Sequence, residues 1–198
     1  LQGSDSVTSV TLASLGVSAN APVGTYAIAP SAAVGTGLSN NFIIYQPGTL
    51  DVNQALLTFD PDSHTKLYGD TFTGYTGTFT GLMPFDVGVV IPVYDSPGEP
   101  PTATVTAPGP VYPINVSFND SNNRLNNYIL TLDPAPAATL TVLPRTLTVT
   151  PTDRSKAYGD LLTVADFTGT IAGIQNGDNI TATYDSPSGD PANAPIGT

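Results

Sequence analysis

The chain repeats itself, and that constrains its fold more than any other feature. Lys66-Leu67-Tyr68-Gly69-Asp70 returns ninety positions later as Lys156-Ala157-Tyr158-Gly159-Asp160. At the same offset Tyr94-Asp95-Ser96-Pro97 returns as Tyr184-Asp185-Ser186-Pro187; two repeats apart, Ala19-Asn20-Ala21-Pro22-Val23-Gly24-Thr25 is echoed by 192–198. Self-similarity at a fixed period marks an array of like units, each with its own small core. An array spans distance or multiplies contacts, which points to a structural or adhesive role ahead of a catalytic one.

Leu1 set against Ile174 aligns the two ends without a gap: Gln2 falls on Gln175, Asp5 on Asp178 and Gly16 on Gly189. In the middle copy the same stretch begins at Leu82, Asn126-Asn127-Tyr128-Ile129-Leu130 matches Asn40-Asn41-Phe42-Ile43-Ile44, and the unit closes on Thr139–Val142 as on Thr49–Val52. Residues 1–53 are therefore expected to be the C-terminal part of one repeat domain, 54–143 a complete domain, and 144–198 the N-terminal part of another. The expectation is a window onto a longer chain. The alternative is that neighbouring subunits complete the partial ends by strand addition. Leu143-Pro144-Arg145-Thr146 joins one unit to the next, and its proline stiffens the joint.

Only 11% of the 198 residues are charged, against roughly 25% in typical soluble domains. Hydroxyls supply the polarity instead, through 28 threonines whose branched side chains suit a half-exposed pleated surface. The net charge of −11 argues against nucleic acid, which needs clustered Lys and Arg, and against docking on anionic membrane. No apolar run approaches the length that spans a bilayer, so membrane insertion of this segment is not expected. There is no cysteine to staple the fold or bind zinc.

Strand signals are short runs bounded by Gly, Pro, Asn and Asp. In the complete unit they fall at Leu56–Phe59, Thr71–Thr80, Val87–Tyr94, Thr102–Thr106, Val111–Phe118, Tyr128–Leu132 and Thr139–Val142. In the first, either Leu56/Thr58 or Leu57/Phe59 faces the core. No window of helical period is free of Pro and Gly, so no substantial helix is expected. The expected fold is all-β: tandem antiparallel sandwich-like repeats, either immunoglobulin-like or a β-grasp without its helix, strung as beads.

The repeated motif Lys66, Tyr68, Gly69, Asp70 and its copy Lys156, Tyr158, Gly159, Asp160 reads as structural. Glycine permits a turn with positive φ, aspartate bonds its own downstream backbone, and tyrosine buries its ring while its hydroxyl reaches a turn carbonyl. Each lysine is expected to pair with the aspartate four residues on. Asp60 and Asp62, and Asp120 in a second acidic loop, are candidate calcium ligands, but the bidentate Glu and central Gly of an EF-type loop are missing. No cofactor is otherwise expected. His64, the only histidine, is expected in a solvated turn. No nucleophile elbow, phosphate-binding loop or His-Glu-x-x-His motif occurs, so the chain is not expected to be an enzyme.

Leu147-Thr148-Val149-Thr150-Pro151, then Lys156-Ala157-Tyr158-Gly159-Asp160, then Asn176-Gly177-Asp178 resembles the MBG domain, YGX type, of large bacterial surface and secreted proteins. Gly24–Ile28, Asn41–Ile44 and Gly48–Val52 fit the same family. The middle copy departs from it, with Pro84-Phe85-Asp86 where Asn-Gly-Asp is usual. The resemblance implies adhesin-like modules at the cell surface and carries no catalytic residues. The leading expectation is a stalk or filament segment of a long extracellular protein, its partners being neighbouring repeats or identical subunits in a fibre. The alternative is a glycan- or mucin-binding β module, favoured if Tyr45, Tyr75 or Tyr94 lines an exposed groove.

Overall fold

Short apolar runs, each interrupted within a few residues by Gly, Pro or Asn, produce short strands and no long helix. A computed structural model describes residues 4–133 and 137–196 of the chain, and these are all-β. Thirteen strands run in chain order as β1 (Ser6–Ala13), β2 (Gly24–Thr36), β3 (Gly48–Val52), β4 (Ala55–Pro61), β5 (His64–Leu67) and β6 (Gly77–Thr80). They continue as β7 (Ile91–Asp95), β8 (Val111–Pro113), β9 (Asn115–Asn119), β10 (Tyr128–Leu132), β11 (Thr139–Leu143), β12 (Thr148–Pro151) and β13 (Gly169–Ala172). The described helices are single 3-10 turns of three or four residues, and none is long and apolar enough to cross a membrane.

The backbone clusters into two compact units. The first comprises 1–61, 77–94 and 116–136. It holds the antiparallel sheet β1-β2-β3, the sheet β10-β4-β6 and the pair β7-β9. Its core forms on the inner face of β4. Leu57 and Phe59 are buried while Leu56 is 74% exposed, which settles the two-sided pattern of that run. The Phe59 ring lies 4.6 Å from Phe79, 5.4 Å edge-on from Phe118 and 6.3 Å from Tyr94. Such tilted and edge-to-face pairs add to the burial of large rings.

The second unit comprises 62–76, 95–115 and 137–198, with the sheet β5-β11-β8 and the pair β12-β13. Leu140 and Val142 of β11 point inward, and Val142 packs with Tyr112 and Ala103, flanked by Tyr68 and Val105.

Several expectations need correction. The sheets are mixed, not antiparallel throughout: β10 runs parallel to β4 with Leu130 opposite Leu57, and β11 runs parallel to β5 with Val142 opposite Lys66. Parallel partners need a long connection, and each of these pairs joins strands remote in sequence. Only Gly77–Thr80 of the run 71–80 forms a strand. Upstream, the Phe72 amide instead donates to the Glu99 carbonyl in a loop contact. Thr102–Thr106 is no strand, because the Ala103 amide turns back onto the Pro100 carbonyl. The run 111–118 divides at Ile114, whose amide bonds the Ala138 carbonyl, and the run 87–94 keeps only its end, as β7.

Candidate functional site

Lys66 is 6% exposed, unusual for a cation that is not in an ion pair. Its ammonium sits in a socket of three backbone carbonyls: Asp70 at 2.9 Å, Glu99 at 3.0 Å and Pro100 at 2.5 Å. Three acceptors match the three donors of an ammonium, so burial leaves none of its protons unbonded. Lys156 repeats the arrangement on the carbonyls of Asp160 at 3.2 Å, Asp190 at 3.1 Å and Pro191 at 2.6 Å. The expected Lys–Asp side-chain pairs are therefore replaced by lysine–carbonyl bonds. Burial lowers the Lys66 pKa from its usual value, against the opposing pull of Asp70 and Glu99.

The turn that follows each lysine is set by its glycine. Gly69 has φ +92° and Gly159 φ +96°, a region that side-chain-bearing residues rarely adopt. Asp160 folds back on the amide of Ala157, upstream and not downstream. Asp70 behaves differently, its carboxylate being taken by the Arg145 guanidinium, while Arg145 Nε donates to the Tyr68 carbonyl at 2.6 Å.

Beyond this turn the second unit contains contacts between distant segments that sequence reasoning did not assemble. The Tyr68 hydroxyl donates to the Asp178 carboxylate at 3.0–3.1 Å, correcting the expected turn carbonyl. Asn176 Nδ2 and the Gly69 amide converge on the Pro101 carbonyl. A Cβ at Gly69 would lie 2.6 Å from Gln175 side-chain atoms, which would have to move aside, and the φ of +92° already favours glycine there. The Tyr-Gly-Asp turn of residues 54–143 is thus clamped by Arg145, Gln175, Asn176 and Asp178 of the following copy. Two signals pointed here: Arg145 is one of five basic residues, and Asn-Gly-Asp is a compact turn. Tyr158, the counterpart of Tyr68, is 75% exposed.

In the first unit Asp86, the counterpart of Asp178, is buried at 1% exposure. It accepts a 2.6 Å bond from the Tyr128 hydroxyl and lies 3.4 Å from Arg124 Nε. Burial, then the bond to Asp86, raises the Tyr128 pKa. Above this group lies a cleft of about 150 Å³ whose walls include Asn20, Val23, Val52, Met83 and Phe85. Beside it the Asn127 side chain accepts from the Val23 amide, and Gln54 donates to the carbonyls of Asn126 and Tyr128.

The calcium candidates are not brought together. Both carboxylate oxygens of Asp120 accept backbone amides, from Arg124 and Leu125 at 2.8 Å, capping a 3-10 turn. Asp62 accepts from the Thr76 hydroxyl, and Asp60 is exposed. Among the described residues no group of three His, Asp or Glu side chains is placed to hold a metal ion. His64 is not in a solvated turn: it lies in β5, half-buried, its ring 5.1 Å from Phe72 and its Nε2 accepting the Thr76 amide. Tyr75 packs edge-on against Phe72 at 4.9 Å, Tyr94 against Phe59, and the Tyr45 hydroxyl accepts the Ala33 amide. All three tyrosines are engaged by their own surroundings.

No family model, no curated protein and no solved structure matches this chain.

Proposed function

We propose that this chain is a non-catalytic stalk or filament segment of a long extracellular bacterial surface protein, built from tandem MBG-like β domains. The clamp on the Tyr-Gly-Asp turn carries the reading. A guanidinium–carboxylate pair and a tyrosine–carboxylate bond tie two successive sequence repeats into one compact unit, and such a connection resists bending. Resistance to bending is what a spacer requires. The recurrence of the three-carbonyl lysine socket at Lys66 and Lys156 supports a repeating architecture. The low density of charge suits a surface with few specific contacts.

The rival is a glycan- or mucin-binding module, and the engagement of Tyr45, Tyr75 and Tyr94 within the fold weighs against it. A glycan and mucin array probed with the 198-residue chain separates the two. The stalk reading expects no saturable binding at micromolar protein. Saturable binding abolished by substituting one of these tyrosines would establish the rival.

A further inference from the structure

Residues 54–143 have chain on both sides, so tension along a stalk enters this copy at Gln54 and leaves it at Leu143. The strands next to the entry are β4 and β5, and those next to the exit are β10 and β11. The two groups pair with each other, and both pairings are parallel. Tyr128 stands opposite Ala55 and Leu132 opposite Phe59, while Leu140 stands opposite His64 and Leu143 opposite Leu67. Further bonds join the same two segments. The Asp133 amide donates to the Phe59 carbonyl at 2.9 Å, the Tyr68 amide to the Leu143 carbonyl at 2.9 Å, and the Thr139 amide to Ser63 Oγ at 3.0 Å. One ladder lies in each compact unit.

We infer that these two parallel ladders give residues 54–143 a load-bearing function, resisting extension of the chain; the inference rests on the stalk reading above. Tension draws β4 and β5 toward their N-terminal ends and β10 and β11 toward their C-terminal ends. In a parallel pair those pulls oppose each other along the strand axis. The ladder is then sheared, and its bonds share the load. Antiparallel pairing of the same segments would bring both loaded ends together, and the load would fall on one bond at a time. Each bond alone contributes little net stability, so resistance depends on the bonds failing together. Sliding either pair would also drag Leu57, Phe59, Leu140 and Val142, all buried, out of their packing.

Single-molecule force spectroscopy of the 198-residue chain is the test. The chain has no cysteine, so an introduced pair fixes where it is pulled. Asn53→Cys with Pro144→Cys loads the copy end to end and shears the ladders. Asn53→Cys with Asn126→Cys pulls β4 and β10 from their shared N-terminal end and opens the same β4-β10 ladder bond by bond. All three positions are exposed and outside the strands. Forced unfolding reads the unfolding barrier, so at one loading rate the first geometry should rupture at a force several-fold above the second. Equal forces in the two geometries would overturn the inference, as would smooth extension without a rupture peak in the first. Neither result touches the stalk reading, since a spacer can be stiff without bearing load. Saturable glycan binding would remove the stalk reading and leave the contrast in force unchanged.

Discussion

Lys66 and Lys156 occupy the same carbonyl socket at different depths, and the difference makes a measurable contrast. Removing the Lys66 ammonium leaves three inward-facing carbonyls without a donor, and a buried unsatisfied polar group costs about 1–3 kcal/mol. Lys66→Met should therefore lower stability by about 3 kcal/mol, read as the shift of the urea midpoint followed by far-UV circular dichroism. Lys156 is half-buried, so water can replace the lost donor, and Lys156→Met should cost about 1 kcal/mol or less. Equal costs would mean that depth in the socket is irrelevant. Tyr128 offers a second contrast. Its folded pKa is raised, so the folded state holds the phenolic proton more firmly than the unfolded chain does. The resulting stability is full below pH 10.0 and is lost as pH climbs through the folded pKa. Spectrophotometric titration of the nine tyrosines should show a late phase that Tyr128→Phe diminishes. Tyr75, also raised by burial, should remain in that phase. A titration with one common midpoint would contradict both assignments.

Asp120 shows how an element's end can be mistaken for a ligand. A short acidic loop with oxygens at alternating positions reads as a cation site, yet its two oxygens are directed at backbone amides. Asp120→Ala should cost about 1 kcal/mol, the usual value of a cap, with the same fall in melting temperature in calcium as in chelator. A loss confined to calcium would restore the metal reading. Strands were legible where apolar and polar residues alternate cleanly: Leu140 and Val142 against Thr139 and Thr141 gave β11 almost to the residue. They were not legible where turn contacts override propensity, as at Thr102–Thr106. Sequence also concealed the parallel pairings, because local alternation records which face a strand buries and nothing about its neighbour's direction. β5 escaped for a related reason, since His64-Thr65-Lys66-Leu67 looks like a polar loop until the lysine finds its three carbonyls. The Tyr-Gly-Asp turn was legible as a motif, whereas its clamp was invisible, because Asp178 lies 110 positions from Tyr68.

For the whole molecule the governing quantities are a net charge of −11 and a charged fraction of only 11%. Two such chains repel at long range, and the Debye length sets how strongly: about 30 Å at 0.01 M salt against about 8 Å at 0.15 M. The same repulsion acts within one chain, where 16 acidic residues face five basic ones. The partly exposed ion pair of Arg145 with Asp70 is worth only about 0–1 kcal/mol and weakens with salt. Screening the net repulsion should outweigh weakening that pair, so raising salt from 0.01 to 0.15 M should raise the urea midpoint. A midpoint that falls on adding salt would place the stability in ion pairs instead of burial and main-chain bonds.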